Sequence, residues 1–400
     1  MPHAVLYSYL GLGGYSRFKD ERRPDGYYLY LVSKRDRCAY CRSWRLTQKG
    51  TKNRVLRTVP IGRKIVFLVI RVRRFACLDC GRTRYERLRI ADPKRHYTHV
   101  LENYVMDLCM RMTVRDVAEF TGLHWATVKA IDKRRLKRNL PRDQDLRWLR
   151  YLGIDEVSVR RGHRYLTTVV DLERGRIVYV GEGRKTESLQ PFIRRLKRLR
   201  VELKAVALDM WKPFARAIRR YYRRLPLVYD VFHILADYSR TLNEIRVAEF
   251  LKLNASRSQV FQGSRYLLLR GQEKLSLSAR ERLWKLLSVN QPLMIAYVLK
   301  EDLRHLWRLA SVEQAQRHLQ DWIEAALSSG ISLLARFARK LRRHADGILN
   351  YFNFRISNAK VEGINNQIKV IKRKAFGYRD LSYFKLKIYN LHTLRYSLLR

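Results

Sequence analysis

Apolar spacing along the chain changes character several times, and each change marks a new unit. The run Lys64-Ile65-Val66-Phe67-Leu68-Val69-Ile70 is mostly β-branched or aromatic and predicts a strand. From Thr113 the period turns helical. Thr113 and Asp116 stand in capping-box spacing, Val117, Ala118 and Phe120 follow, and Gly122 marks a turn. Trp125 to Lys137 predicts a second helix with Val128, Ile131 and Leu136 facing inward. From Tyr151 the pattern becomes short apolar runs of period two, the signature of strands. Strands are expected at Tyr151 to Val157, His163 to Asp171 and Arg176 to Val180, with Glu173-Arg174-Gly175 turning between the last two. A helix follows over Glu187 to Leu199, with Leu189, Phe192, Ile193 and Leu196 on one face. Next come a strand over Lys204 to Asp209, a helix over Trp211 to Arg224 with Pro213 in its first turn, and a strand over Leu225 to Asp230. Between His233 and Ser357 the spacing is almost wholly helical, as in Leu283/Leu286/Leu287 and Leu319/Trp322/Ile323/Ala326. Ser357-Asn358 then caps a last helix from Ala359, striped by Val361, Ile364, Ile368 and Ile371. Its polar face carries Glu362, Asn366, Lys369 and Arg373.

The order β-β-β-α-β-α-β is that of the ribonuclease H-like fold, in which the middle of the first strand and the end of the fourth lie side by side. Asp155 and Asp209 hold those two places. Each closes an apolar strand, where a carboxylate is costly unless it is paired or bound to a cation. Glu362 heads a basic ladder, so an acid on that helix can approach such a site while Lys369 and Arg373 grip phosphates. Trp284, Trp307 and Trp322 each sit on an apolar helical stripe, which points to core packing before base stacking.

Composition sharpens this picture. Lysine plus arginine number 84 against 36 acidic residues, a formal net charge of +48 spread through the whole chain. Such an excess repels itself unless a polyanion is the usual partner, and nucleic acid is that partner in most cases. The basic residues Lys129, Lys133, Arg134 and Arg138 on the second early helix suit a recognition helix in a major groove. No run approaches the roughly 18 apolar residues of a membrane span, and the start lacks a secretory layout. A cytosolic protein with no membrane partner is expected. Five cysteines exclude a secreted disulfide scaffold. Four of them form two CxxC knuckles, Cys38/Cys41 and Cys77/Cys80, a set that closes a structural zinc tetrahedron once strands fold the intervening segment back. Cys109 reads as core, and His96 and His99 are not needed as ligands.

Gly153-Ile154-Asp155-Glu156, Leu208-Asp209-Met210, Asp230-Val231-Phe232-His233 and Ser357 to Asn365 resemble the signature blocks of DDE transposases of the ISL3 insertion-sequence family. So do the knuckled start and the tail Arg373-Lys374-Ala375-Phe376-Gly377-Tyr378, in the same order over nearly the whole chain. Ala359 stands where that family commonly has glycine. The resemblance implies a multidomain chain: a zinc ribbon (1–95), a helix-turn-helix (96–147), and an α/β ribonuclease H-like core (148–236 and 353–400) interrupted by an all-helical insertion (237–352). It implies catalytic acids at Asp155, Asp209 and Glu362 holding two Mg²⁺ or Mn²⁺ ions. Asp230 also follows a strand and competes with Asp209. The fourth-strand position favours Asp209, which leaves Asp230 and His233 in support. The implied activity is cleavage at the terminal inverted repeats of an insertion sequence and transfer of the 3′-hydroxyls to target DNA. A homodimer or larger assembly on double-stranded DNA would carry it out, in the cytoplasm of a prokaryote at the nucleoid. The competing expectations are a ribonuclease H-like structure-specific nuclease and a DNA-binding regulator without catalysis.

Overall fold

The computed structural model describes residues 10–34, 37–138, 140–160, 164–252 and 261–391. The chain divides after Asn139 into two compact units.

In the first unit β1 (Tyr15–Arg23) pairs antiparallel with β2 (Gly26–Ser33), and β3 (Leu46–Ile61) with β4 (Lys64–Cys77). β2 runs parallel to β4, giving the order β1-β2-β4-β3, and the short β5 (Thr83–Tyr85) pairs with the end of β4. The expected strand from Lys64 is the first half of β4. Its Val66, Leu68 and Ile70 are fully buried and pack with Leu29, Leu31 and Leu56, the alternation that a sheet covered on one face demands. Beyond it lie three helices, α1 (His99–Arg111), α2 (Val114–Thr121) and α3 (Trp125–Arg138). The capping box at Thr113 and Asp116 is formed in both directions, and Gly122 closes α2 at φ 63°, where a side chain would be strained. Cys109 packs with Leu101, Val105, Val117, Val128 and Ile131 in the core of the three helices.

The second unit is built on β6 (Tyr151–Arg160), β7 (Arg164–Asp171), β8 (Arg176–Glu182), β9 (Ala205–Leu208) and β10 (Leu227–Tyr229), in the order β10-β9-β6-β7-β8. β6, β7 and β8 are antiparallel neighbours; β9 lies parallel to β6 and β10 parallel to β9. His163, expected to open the second of these strands, lies outside the described residues. α4 (Thr186–Arg198) joins β8 to β9, and α5 (Lys212–Arg219) joins β9 to β10. α5 ends five residues before the expected Arg224. The Arg219 guanidinium donates to the carbonyls of Arg223 and Leu225, and the Tyr222 hydroxyl donates to the Val201 carbonyl at 3.0 Å. These bonds turn the chain back toward the sheet.

One face of the sheet is covered by α4, α5 and a long run of helices. These are α6 (Val231–Phe250), α7 (Ser264–Leu269), α8 (Leu277–Ser288), α9 (Gln291–His305), α10 (Val312–Ser328), α11 (Ser332–Arg343) and α12 (Ala345–Phe354). Trp322 is a buried centrepiece here, edge-on to Tyr238 and Phe337, and Trp307 is partly buried against the same core. Trp284 departs from expectation: its apolar neighbours on α8 point inward, but its own ring is 51% exposed. The other face is covered by α13 (Ala359–Lys374) and α14 (Leu381–Tyr389), through Val361, Ile364, Ile368, Phe384 and Ile388. α13 lies so close on β6 that a Cβ at Gly153 would fall 2.4 Å from Val361 Cγ2. Only glycine allows that approach.

Candidate active site

The sheet order sets two carboxylates side by side. β6 and β9 are parallel in a register that pairs Ile154 with Leu208, so the next residues, Asp155 and Asp209, emerge together at that edge of the ladder. Asp155, Asp209 and His233 offer ligand atoms that all lie within 4.8 Å of one another. His233 reaches the group from the first turn of α6, directly after β10. Its Nδ1 lies 2.7 Å from Asp209 Oδ1 and 2.9 Å from Asp230 Oδ2. One ring nitrogen has one proton to give. The well-directed hydrogen bond is the one to Asp230. Asp209 Oδ1 is left buried without a hydrogen-bonding partner.

The electrostatics follow. The Asp209 and Asp230 carboxylates, both close against Nδ1, push the His233 imidazole up to about 10, so it is a cation among carboxylates. Burial, and then the charge of Asp209, raise the Asp155 carboxyl to about 6. Such a group is held against its solvation preference, and a positive ion beside it is the usual remedy. Carboxylate oxygens, one of them buried and orphaned, fit a hard divalent cation.

α13 supplies what the spacing of acids did not reveal. Asn365 Nδ2 donates to Asp155 Oδ2 at 2.7 Å, and the Glu156 backbone N–H donates to Asp155 Oδ1 at 2.7 Å. The Thr168 hydroxyl donates to Asn365 Oδ1 at 3.2 Å, which fixes the amide's orientation. Two turns earlier the Asn358 amide donates to the Ile154 carbonyl at 3.0 Å. Both asparagines are buried. Glu362 lies between them on the helix but is exposed, and it is outside the Asp155/Asp209/His233 group. The structure therefore brings together Asp155, Asp209, Asp230 and His233, and holds Glu362 on the helix docked over them with its side chain in solvent. Lys369 and Arg373 are exposed further along that helix.

In the first unit the four knuckle sulfurs also lie within 4.8 Å of one another. Cys38 and Cys80 are 3.7 Å apart and Cys41 and Cys77 3.5 Å. A tetrahedral zinc with ~2.3 Å bonds spaces its sulfurs by ~3.8 Å, so the set fits zinc and is far too wide for disulfides. The strand register explains it: Leu46 pairs with Cys77, and the Leu78 N–H donates to the Arg45 carbonyl, which closes one knuckle on the other. Backbone N–H groups of Cys41 and Tyr40 lower the Cys38 thiol to about 6, toward the thiolate a metal requires. On α3, Lys129 and Lys133 are half-buried, and Lys129 lies over the Trp125 ring. Arg134 turns inward instead, paired with Glu102 at 2.9 Å and donating to the Tyr97 hydroxyl at 2.7 Å.

Comparisons with known proteins give the family. A family model described as transposase matches residues 152–388, and the helix-turn-helix domain of transposase family ISL3 matches residues 86–136. The transposase for insertion sequence element IS1001 of Bordetella parapertussis is 36% identical over 392 residues, covering 94% of this chain and 96% of that protein. The transposase for IS1557 of Mycobacterium tuberculosis is 28% identical over 372 residues, covering 86% and 82%. Among solved structures, a Drosophila P element transposase strand transfer complex aligns with 75% of this chain and 92% of its own at a TM-score of 0.41 and 11% identity.

Proposed function

The chain belongs to the ISL3 family of DDE transposases, and from that premise we propose that it binds the terminal inverted repeats of its insertion sequence, cleaves the ends and transfers the freed 3′-hydroxyls to target DNA through Asp155, Asp209 and Glu362. The observation that carries this reading is the pair of adjoining carboxylates, Asp155 within β6 and Asp209 just past the end of β9, one with an orphaned oxygen, beneath the helix that bears Glu362. Sheet order and pairing support a ribonuclease H-like core (148–236 and 353–400), and the helices from Val231 to Phe354 support an all-helical insertion (237–352). The zinc ribbon (1–95) and helix-turn-helix (96–147) complete the proposed organisation.

Asp155 and Asp209 aim their oxygens at one point, and Asn365 and the Glu156 amide keep Asp155 from rotating away. Glu362 completes the set by a change of side-chain rotamer, since its Cα already rides on the docked helix. His233 holds Asp230 and balances charge next to Asp209. Two Mg²⁺ or Mn²⁺ ions held there would supply activation of the attacking hydroxyl and stabilisation of the leaving oxygen. Lys369 and Arg373 run on from Glu362 and face a DNA phosphate backbone, while Lys129 and Lys133 serve the end-binding helix. Arg134 contributes indirectly, by bracing α3 against α1. Two ends must meet, so the working form is a homodimer or larger assembly on double-stranded DNA. The bacterial relatives support a prokaryotic setting, and the proposed place of action is the cytoplasm, at the nucleoid.

Glu362→Gln is expected to keep end binding and to lose more than about 100-fold in cleavage and strand transfer with Mg²⁺. Full cleavage by that variant sinks the assignment of the third acid. A wild-type chain that cleaves without ever joining ends to a target is a nuclease and not a transposase.

A further inference from the structure

Among the described residues one large apolar side chain stands wholly in solvent. Phe376 is 101% exposed. It sits at the end of α13 in a left-handed turn, with φ 51° at Phe376 and 96° at Gly377, a conformation disfavoured for an aromatic residue unless its surroundings hold it. They do. The N–H of Phe376 donates to the Arg373 carbonyl and that of Gly377 to the Lys372 carbonyl, each at 2.9 Å. The next residue, Tyr378, is anchored by stacking on Phe384 at 4.4 Å. The ring is thus presented on a rigid tip, with no apolar neighbour to receive it. Along the same stretch of chain Lys369, Arg373 and Arg379 are exposed. An exposed aromatic ring on so basic a segment does not suit a second apolar protein surface. It suits a nucleobase with its phosphates on either side.

We propose that Phe376 inserts into the base stack of the bound end and holds one base pair unstacked near the cut. The inference rests on the transposase reading and adds a positioning residue to it. The helix that presents Phe376 also carries Asn365, the donor to Asp155. From Asn365 to the tip is about 15 Å of helix, or about four to five base-pair steps, so the unstacked position lies within about five base pairs of the scissile phosphate.

The test uses the full chain, held from chemistry by Ca²⁺, on end duplexes carrying 2-aminopurine at successive positions beside the cut. Expected is a rise in fluorescence of about threefold or more at one position within that span, lost in Phe376→Ala and kept in Phe376→Trp. End cleavage in Mg²⁺ falls about 10-fold for the alanine variant and stays near wild type for the tryptophan. If the wild type cleaves these duplexes with no unstacked position, or the rise survives in Phe376→Ala, the proposal is overturned. It is overturned equally if the alanine variant fails only to assemble protein copies on DNA. A wild-type chain that leaves its ends uncut removes the transposase reading first.

Discussion

An oxygen that receives a cation has to be aimed before the cation arrives, and under the proposed function the Asp155 carboxylate is aimed by an asparagine 210 residues away in sequence. Asn365 also bonds Thr168, so its amide cannot swing without breaking two contacts. Replacing it with leucine, close in volume and unable to donate, is expected to raise the Mg²⁺ concentration for half-maximal cleavage by about 10- to 100-fold. Glu362→Gln would lose activity at every concentration, so a Mg²⁺ titration separates the two roles. An Asn365→Leu variant with an unchanged titration would show that the contact is incidental. The pairing of Asp155 with Asp209 was legible in the sequence, because the strand order puts the middle of the first strand beside the end of the fourth. Asn365 had its own signal, a polar residue between Ile364 and Ile368 on the buried stripe, but nothing in the spacing says which oxygen it meets. Arg134 was illegible for a related reason. Its partners Glu102 and Tyr97 come from another segment, so helical periodicity alone puts it outside.

Elements were read best where one face is buried and the other wet. The first half of β4 and the stripe of α13 follow their apolar patterns closely. Pairings between distant segments, such as β2 alongside β4, leave no periodic trace. Neither does the early end of α5, which side chains of the following loop impose. The β3–β4 hairpin bears on the zinc knuckles directly. Its register alone brings Leu46 to Cys77, yet near that end much of β3 is exposed and little apolar surface holds the strands. A metal held by the four sulfurs would supply the closure there. Cys77→Ser is expected to release one zinc per chain, seen by metal analysis, and to speed proteolysis near the knuckles while Mg²⁺-dependent chemistry on pre-cut ends persists. A variant that keeps its zinc would show that Cys77 is not a ligand.

At the scale of the whole molecule the dominant quantity is charge. A net +48 on 400 residues makes end binding a counterion-release process. The logarithm of affinity for end DNA is expected to fall with log salt at a slope steeper than about −5. Electrophoretic titrations between low and physiological salt measure it, and a shallow slope would mean that most of these cations never meet phosphate. The same charge ties activity to a nucleic-acid-rich setting, since the free chain repels itself.

The late arrival of α13 has a consequence for timing during translation. The DNA-reading helices leave the ribosome before either strand aspartate, and the amide that steadies Asp155 emerges only after every intervening helix. Under the proposed function, a nascent chain would thus grip DNA before it could cut it. Ribosome complexes stalled ahead of Ala359 are expected to retain end duplexes and return them intact; nicking by such complexes would show that the docked helix is dispensable.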